Sequence, residues 1–572
     1  DYNRVRMTRM FSTGYAAIEP VKGLKLKETL SYDYTIQKDS RYYNPLSSAG
    51  PKSGSDAQTA KGFIEYGKLI SSTSMNYVHT FAHKHHLNVL AAYEIESYQT
   101  DHASGEKSKL PSDKLTEPDN AAVLNSFKSA TQAYRMISYL SRLNYDYDDR
   151  YYIAGSYRRD GSSRLSPNNR WGNFWSVSGM WHLGNENFMK AVKPVLSDVK
   201  IRASYGVNGN QPGSYYGYKG LYSYGENYME AAGSYESSQP NDLLTWEKNY
   251  SLNLGIDLSF INRIFASLEY YNRDTKDLLY SLPISATTGF TSYLSNIGRL
   301  NNKGIEFELR TLNVVSNDFN WTSVFNLSHN RNKIVSLNGL LDQTIEGTWF
   351  IHKVGLPYHT FYVKEFAGVD PQTGYAQYYL NTKNEDGSYN RELTTDADKA
   401  ESIPYKTATP KVSGGFTNIL NYKWIDLTFT LTYSLGGYSF DKLGTYIENG
   451  TSSIYSSRYN LPAYMMNRWQ NPGDQTDIPR FVYNESATST NSSRYIHSTD
   501  HLRLKNFTLG FTLPNQWTQK LMIDKVRIYF SGNNLLTWAK WKQYDPETPV
   551  NGEVFCEAPA MRTFSFGAQL SF

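Results

Sequence analysis

Apolar and polar residues alternate with a period of two in segment after segment of this chain. In Tyr250–Phe260 the residues Tyr250, Leu252, Leu254, Ile256, Leu258 and Phe260 share one side, and Ser251, Asn253, Gly255, Asp257 and Ser259 the other. Ile425, Leu427, Phe429, Leu431 and Tyr433 alternate in the same way with Asp426, Thr428, Thr430 and Thr432. The last segment sets Phe564, Phe566, Ala568, Leu570 and Phe572 against Thr563, Ser565, Gly567, Gln569 and Ser571. Successive side chains of a strand point to opposite faces, so the pattern predicts strands with one apolar face. The segments run for about 10 to 14 residues, beyond the usual 5 or 6 of soluble sheets. A tilted strand crossing a bilayer needs about 9 to 11. Reading along the chain predicts about 17 such strands. Their spans are 9–19, 24–36, 67–81, 85–99, 131–146, 150–160, 171–183, 197–209, 246–260, 263–275, 301–314, 319–333, 411–423, 424–437, 501–514, 524–534 and 561–572.

The connections alternate in length. Tight turns are predicted near Pro20–Gly23, His83-Lys84, Asp148-Asp149, Asn262, Asn317-Asp318 and Tyr422-Lys423. Between them lie long links at 37–66, 100–130, 210–245, 276–300, 334–410, 438–500 and 535–560. Outer-membrane barrels have short periplasmic turns and long extracellular loops. The fold class expected is therefore all-β, a large antiparallel transmembrane barrel, with residues 1–572 one repeated-hairpin domain. The last strand follows a long loop, so it is expected to run inward and end in the periplasm, where a terminal Phe572 fits an outer-membrane insertion signal. Counting back, the first strand begins outside, whereas a complete single-chain bacterial barrel has both ends periplasmic and an even strand number. An odd number of strands is then expected upstream, and the chain, which opens Asp1-Tyr2-Asn3-Arg4, is read as the C-terminal part of a larger barrel.

Composition supports this picture. The 572 residues contain no run of about 18 apolar residues, which excludes a helical membrane protein. Aromatics make up 15%, with 48 tyrosines, too many large apolar side chains for a disordered chain. A net charge of +4 is small for this length and gives no support for nucleic-acid binding. The single cysteine, Cys556, rules out an internal disulfide and a thiolate zinc cage, and is expected to be an inert buried or loop thiol.

Five stretches, in order across nearly the whole chain, resemble the SusC/RagA family of TonB-dependent outer-membrane transporters from Bacteroidetes. They are Arg158-Arg-Asp-Gly-Ser-Ser-Arg-Leu165 with Asn169–Gly172 and Glu186–Met189; Ser204–Asn210; Trp246-Glu-Lys248 with Tyr270–Thr275 and Asp277–Leu279; Asn296-Ile-Gly298 with Asn302-Lys-Gly-Ile-Glu306; and Leu502–Gly510 with Asn533–Trp538 and Tyr544-Asp-Pro-Glu547. The resemblance implies a 22-stranded barrel closed by an N-terminal plug, of which about 17 strands are in this chain. It also implies a SusD-like surface lipoprotein as a lid, and energy from a TonB complex acting on a region outside this sequence. Neither a plug nor a TonB box is found here.

The candidate contact residues are aromatic. Tyr215, Tyr216, Tyr218, Tyr222, Tyr224 and Tyr228 crowd one long link. Phenolic faces pack on sugar rings and their hydroxyls bond ring substituents, so contact with cargo or with the lipoprotein is expected; an interface girdle is the structural alternative. Trp349, Trp538, Trp541 and Tyr544 are weaker candidates of the same kind. Asp257, Glu269, Glu306, Glu308, Arg310 and Arg527 are expected to line a polar interior. His79, His83, His85 and His86 are read as a solvated hairpin without nearby carboxylates, and Asn381–Gly387 as a plain turn with only a faint calcium-loop pattern. No metal, no cofactor and no catalytic residue are expected. The function expected is active import across the outer membrane of a nutrient, most readily an oligosaccharide. Peptide import by the same mechanism and a passive porin-like barrel are the alternatives. A barrel-embedded hydrolase lacks any nucleophile motif, and a soluble glycan-binding protein would not carry such apolar faces.

Overall fold

The computed structural model describes residues 1–45, 56–337, 343–346, 349–448, 460–482, 491–518 and 523–571. Seventeen long strands form one sheet, and each predicted span has its strand. They are β1 Tyr2–Val21, β2 Leu24–Tyr43, β3 Gln58–Phe81, β4 His85–Ser108, β5 Val123–Tyr147, β6 Tyr151–Ser162, β7 Trp171–His182, β8 Leu196–Asn210 and β9 Glu247–Phe260. Then follow β10 Ile264–Lys276, β11 Arg299–Val315, β12 Phe319–Ser336, β13 Val412–Tyr422, β14 Ile425–Leu435, β15 His501–Thr512, β16 Lys525–Ala539 and β17 Thr563–Ser571. Phe572 lies outside the described residues. Several strands overrun their predictions on the long-link side: β2 continues to Tyr43 rather than 36, and β3 begins at Gln58 rather than 67. In these extensions both faces are polar, as at Lys38-Asp39-Ser40-Arg41, so alternation stops while backbone pairing continues.

The chain divides into two compact units. One comprises Asp1–His182, Arg202–Leu252 and Thr275–Ile297, and in it β1 to β7 pair consecutively as an antiparallel meander. The other comprises Leu183–Ile201, Asn253–Asp274 and Gly298–Phe572, where β11 to β17 pair in the same way. Tight hairpins turn through left-handed residues: Asp148 and Asp149 both have φ 53°, and Gly23 has φ 86°. The Asp148-Asp149 turn, left-handed at both central residues, is of the primed kind that matches the twist of its strands, whereas at Lys22-Gly23 only Gly23 is left-handed and the register shifts between Ile18 and Val21. Two links on the turn side are longer and carry short helical turns, at Leu183–Asn185 with Asn187–Ala191 and at Asn515–Thr518.

The two faces of each unit differ. In the first unit Leu69, Tyr93, Ile95, Tyr139, Ile153 and Val177 lie exposed on one face. The opposite face holds ion pairs: Arg9 with Asp33 at 2.7 Å, and Lys68 with Glu96 at 3.0 Å. Aromatic rings mark both ends of the apolar face. Tyr147, Tyr151 and Trp181 stack at the turn end, with centroids 6.5 and 6.3 Å apart, and Trp171 packs on Tyr139 at 6.2 Å toward the loop end. Trp171 and Trp181 are about ten residues apart on β7, roughly 33 Å of strand, which at a tilt of about 40° gives a band about 25 Å tall, the height of an outer-membrane barrel's apolar belt.

In the second unit Asp257 accepts from Ser267 (2.7 Å), Arg527 makes a two-pronged pair with Asp426 (2.9 and 2.5 Å), and the Arg310 guanidinium lies 5.9 Å from the Phe265 ring. Glu306 and Glu308 share this polar face by alternation with Arg310, and Glu269 with Ser267. On the same face Gly304 leaves room for the Tyr271 ring: a Cβ there would meet the Tyr271 hydroxyl at 2.6 Å and the His329 carbonyl at 2.1 Å. The freed hydroxyl donates to Asn330 at 2.9 Å.

Candidate functional site

The tyrosine-rich link divides in two. Tyr215 stacks on Tyr98 of β4 (6.1 Å, 14°) and Tyr134 of β5 (5.7 Å, 21°), which also stack on each other at 5.3 Å. The Arg164 guanidinium closes this stack, 4.0 Å from the Tyr134 ring and 4.6 Å from Tyr215, and donates to the carbonyls of Pro212 (3.0 Å) and Gly213 (3.2 Å). Tyr134 donates to Glu96, which Lys68 neutralises. The Tyr216 hydroxyl accepts from the Ala133 amide at 3.2 Å, and Tyr218 packs on the buried cluster Leu165, Phe174, Leu244 and Trp246. These three tyrosines fasten the link to the sheet. Tyr222, Tyr224 and Tyr228 do not: they are 55%, 75% and 75% exposed on and beside a hairpin of Leu221–Tyr224 with Ser234–Ser238. Tyr222 donates to Glu236 across it (3.0 Å), and Tyr235 adds a fourth exposed ring.

The motifs that carry the family resemblance hold this arrangement in place. Arg158 grips Asp160 (2.7 and 2.9 Å) and Ser138 (2.9 Å), Ser162 donates to Gln211 (2.6 Å), and Trp246 donates to the Arg170 carbonyl (2.9 Å). Asn296 bonds both the amide (2.7 Å) and the carbonyl (2.9 Å) of Thr245.

In the second unit the long links fold into small sheets with their own core of Phe361, Val363, Phe440, Tyr495 and Ile496. Trp349 stacks on Phe440 at 4.9 Å, with the Lys442 ammonium 5.0 Å from its ring. Trp541 is buried, stacks on His497 at 4.5 Å and packs on Tyr544 at 4.9 Å. Trp538 is elsewhere: it is 53% exposed on β16, opposite Leu502 on the apolar face. Three of these four aromatics thus pack into the loop structure and one stands on the apolar face of the sheet.

A polar cluster lies beside that core, with no mark in the sequence. Asp441 is buried, accepts from the Gly444 amide at 2.7 Å and bonds Tyr544. Burial pushes its carboxyl up to about 6 despite the Gly444 amide. Glu448 takes the Tyr464 hydroxyl and Arg494 (3.1 Å), and burial raises the Tyr464 phenol well above its ordinary value. His497 is driven the other way, down to about 4, by burial and then by the Arg494 charge.

These two shifts oppose each other. Folded Asp441 keeps its proton up to about 6 while an unfolded aspartate loses it near 3.9, so stability falls as pH rises through that window. Folded His497 loses its proton near 4 while an unfolded histidine keeps it to about 6.5, so stability rises with pH over a similar window. The intact loop structure is expected to be nearly indifferent to pH from 4 to 6.5. His497→Asn is expected to lose about 2–3 kcal/mol across that range, and Asp441→Asn to gain a similar amount. Hydrogen exchange of the Tyr438–Asp441 peptide against pH, corrected for the intrinsic rate, checks this; two parallel variant curves would contradict it.

The histidine hairpin needs a correction. It was expected to lack carboxylates, but pairing of β4 with β5 and the following turn bring Asp146 and Asp149 to His86, with one ligand atom of each within 4.8 Å of the others. His86 Nδ1 is 3.0 Å from the Thr80 hydroxyl. His85 instead meets the Tyr145 hydroxyl at 2.8 Å, and His79 packs between Tyr77 (5.8 Å) and Phe81 (4.3 Å). Asn381–Gly387 leads into a short turn in which Asp386 accepts from the Ser388 amide (2.9 Å) and hydroxyl (2.6 Å). Cys556 is exposed in a loop.

The comparisons with known proteins agree with this geometry. The family described as TonB dependent receptor-like, beta-barrel matches residues 1–535. TonB-dependent receptor P3 of Formosa agariphila is 30% identical over 98% of this chain and 57% of its own length. TonB-dependent receptor SusC of Bacteroides thetaiotaomicron is 32% identical over 80% of this chain and 45% of its own. The chain thus spans about half the length of the curated relatives it matches. Among solved structures, one described as the RagAB peptide transporter superposes on 100% of this chain and 62% of that chain, with a TM-score of 0.89 and 28% identity. The chain belongs to the TonB-dependent receptor-like β-barrel family, and its similarity within it is to relatives of the SusC and RagA type.

Proposed function

We propose that the chain is the membrane-spanning wall of an outer-membrane importer that takes up an oligosaccharide, works with a SusD-like surface lipoprotein and draws its energy through TonB. The observation that carries this reading is the long-stranded sheet with one apolar and one polar face, combined with similarity to SusC over four-fifths of the chain. No covalent step is required: cargo is passed along, and a partner supplies the energy.

Tyr222, Tyr224 and Tyr228 are the residues best placed to receive cargo or lipoprotein, because their faces are free. Tyr215, Tyr216, Tyr218, Trp349, Trp541 and Tyr544 then act by holding the loops, and Trp538 by meeting lipid. A second reading, peptide import, is favoured by the similarity to the RagAB structure, whose description names a peptide transporter. The test is binding of labelled oligosaccharides and of a peptide mixture to the intact complex. Tyr224→Ala with Tyr228→Ala is expected to weaken oligosaccharide binding about 10-fold or more, at about 1 kcal/mol per stacked ring. Loss confined to peptides would select the second reading. Uptake that persists after the proton gradient is collapsed would leave only a passive pore.

A further inference from the structure

Two adjacent cross-strand rows lie near the loop ends of the first strands. One runs Arg4, Ser40, Lys61, Gly105, and the next Arg6, Lys38, Phe63, Ala103. Members of a row share a face of the sheet, and so do residues two apart on a strand. By that count both rows lie on the face that carries Tyr32, Leu69 and Ile95 nearer the turns, which is the apolar face. They stand just beyond the end of its apolar band. Small residues form the floor there, and a groove of about 720 Å³ is lined by the four cations together with Phe63 and Phe127. Both rings are exposed, Phe127 by 69%.

The cations are poorly compensated. Arg6 and Lys38 face each other directly across β1 and β2, a like-charge pairing that destabilises a sheet. Neither has an ion-pair partner among the described residues. Arg4 lies over the Tyr2 ring at 4.7 Å, and Lys61 alone is paired, with Glu117. Two acids border the groove, Asp39 accepting from Gln37 (3.0 Å) and Glu65 bonded to Tyr34, and neither forms an ion pair with these cations among the described residues. A cluster of this kind is relieved by a multivalent anion, for which paired arginine and lysine heads are suited. Its continuity with the apolar band says which anion: one that is joined to acyl chains.

We propose that this groove seats the phosphorylated headgroup of an outer-leaflet glycolipid. The phosphate meets Arg4, Arg6 and Lys38, the apolar edge of the headgroup lies on Phe63 and Phe127, and the acyl chains run down over Tyr32 and Leu69. The inference rests on the outer-membrane reading of the chain.

The test uses the intact protein extracted in mild detergent from its source membrane, with co-purifying glycolipid quantified by mass spectrometry. Wild type is expected to retain the phosphorylated lipid. Arg6→Gln with Lys38→Gln is expected to retain at least about 10-fold less, the loss of roughly one charge-assisted contact or more. Arg6→Lys with Lys38→Arg, which keeps both charges, is expected to retain it. Readdition of the same lipid with its phosphate removed is expected not to bind wild type. Equal retention by wild type and the Gln variant overturns the proposal, as does equal binding of the dephosphorylated lipid. A change of oligomeric state with unchanged lipid also overturns it and makes the groove a protein contact. Membrane fractionation separates the two readings: if the protein is absent from the outer membrane, the functional reading fails with this one, whereas outer-membrane protein with equal retention defeats this inference alone.

Discussion

Arg503→Met is expected to release the loop that runs from Lys540 to Arg562. Arg503 stands on β15 with a side chain only 3% exposed, and it meets Asp545 and, at 3.0 Å, Glu547. Lys505, two residues along the same face, takes Glu547 at 2.7 Å. Asp545 also accepts from the amides of Glu547 (3.0 Å) and Ala560 (2.8 Å), so it pins both arms of the loop. Burial alone would raise its carboxyl; the Glu547 amide, Arg503 and the Ala560 amide outweigh that and hold it below the usual range. Methionine keeps an unbranched apolar stem but no charge, so Asp545 is left facing no cation among the described residues and Glu547 keeps only Lys505, a change that costs about 3–5 kcal/mol. Trypsin cleavage after Lys540, Lys542 and Arg562 should then accelerate at least about 10-fold. Arg503→Lys, which keeps the charge and loses the fork, is expected to fall between. An unchanged cleavage rate in the Met variant would mean that the ionic clamp does not hold the loop.

Trp246→Ala is expected to cost a similar amount in the first unit. Trp246 is 3% exposed and meets Phe174 edge to face at 5.4 Å, within a cluster completed by Leu165 and Leu244, both fully buried. Removing a buried tryptophan costs about 3–5 kcal/mol through lost transfer energy and the cavity left behind. The Arg170 carbonyl loses the indole donor as well and keeps the Ser162 amide at 3.1 Å. Tyr218 rests on this cluster, so the tyrosine-rich link should loosen with it. Trp246→Phe keeps most of the packing and loses the hydrogen bond, which is expected to cost about 1 kcal/mol. Protection of the 215–220 amides against hydrogen exchange reads both variants, and equal protection in Trp246→Ala and wild type would contradict the assignment of Trp246 as the support of that link.

The long strands were legible because one simple rule runs through them: every second residue is apolar over a fixed length. Ile425 to Tyr433 obeys it, and β14 is found at Ile425–Leu435. The rule lapses above the band, so the ends of β2 and β3 were invisible although their backbones pair without interruption. Long-range ionic and stacking partners leave no local trace. The stretches Leu502–Gly510 and Tyr544–Glu547 were both visible as motifs, yet nothing in either says that Arg503 of one clamps Asp545 and Glu547 of the other. Tyr215 to Tyr228 read as one aromatic stripe, and only the fold divides it into rings held by Arg164 and rings left free. Asp441 lies between Phe440 and Lys442 in a stretch of mixed polarity, and its burial comes from segments far away in sequence.

The central claim is that one face of these strands meets lipid and the other does not. It is tested most directly by spin labels placed one at a time along β14 of the full-length protein in outer-membrane vesicles, with Cys556→Ala removing the exposed native thiol. Leu427→Cys, Phe429→Cys and Leu431→Cys should be relaxed by oxygen, which concentrates in the bilayer. Thr428→Cys, Thr430→Cys and Thr432→Cys should be relaxed instead by a water-soluble nickel complex or be shielded from both. The account predicts a clean period of two in the ratio of these effects. A uniform ratio along the strand, or nickel access at Leu427, Phe429 and Leu431, would contradict it.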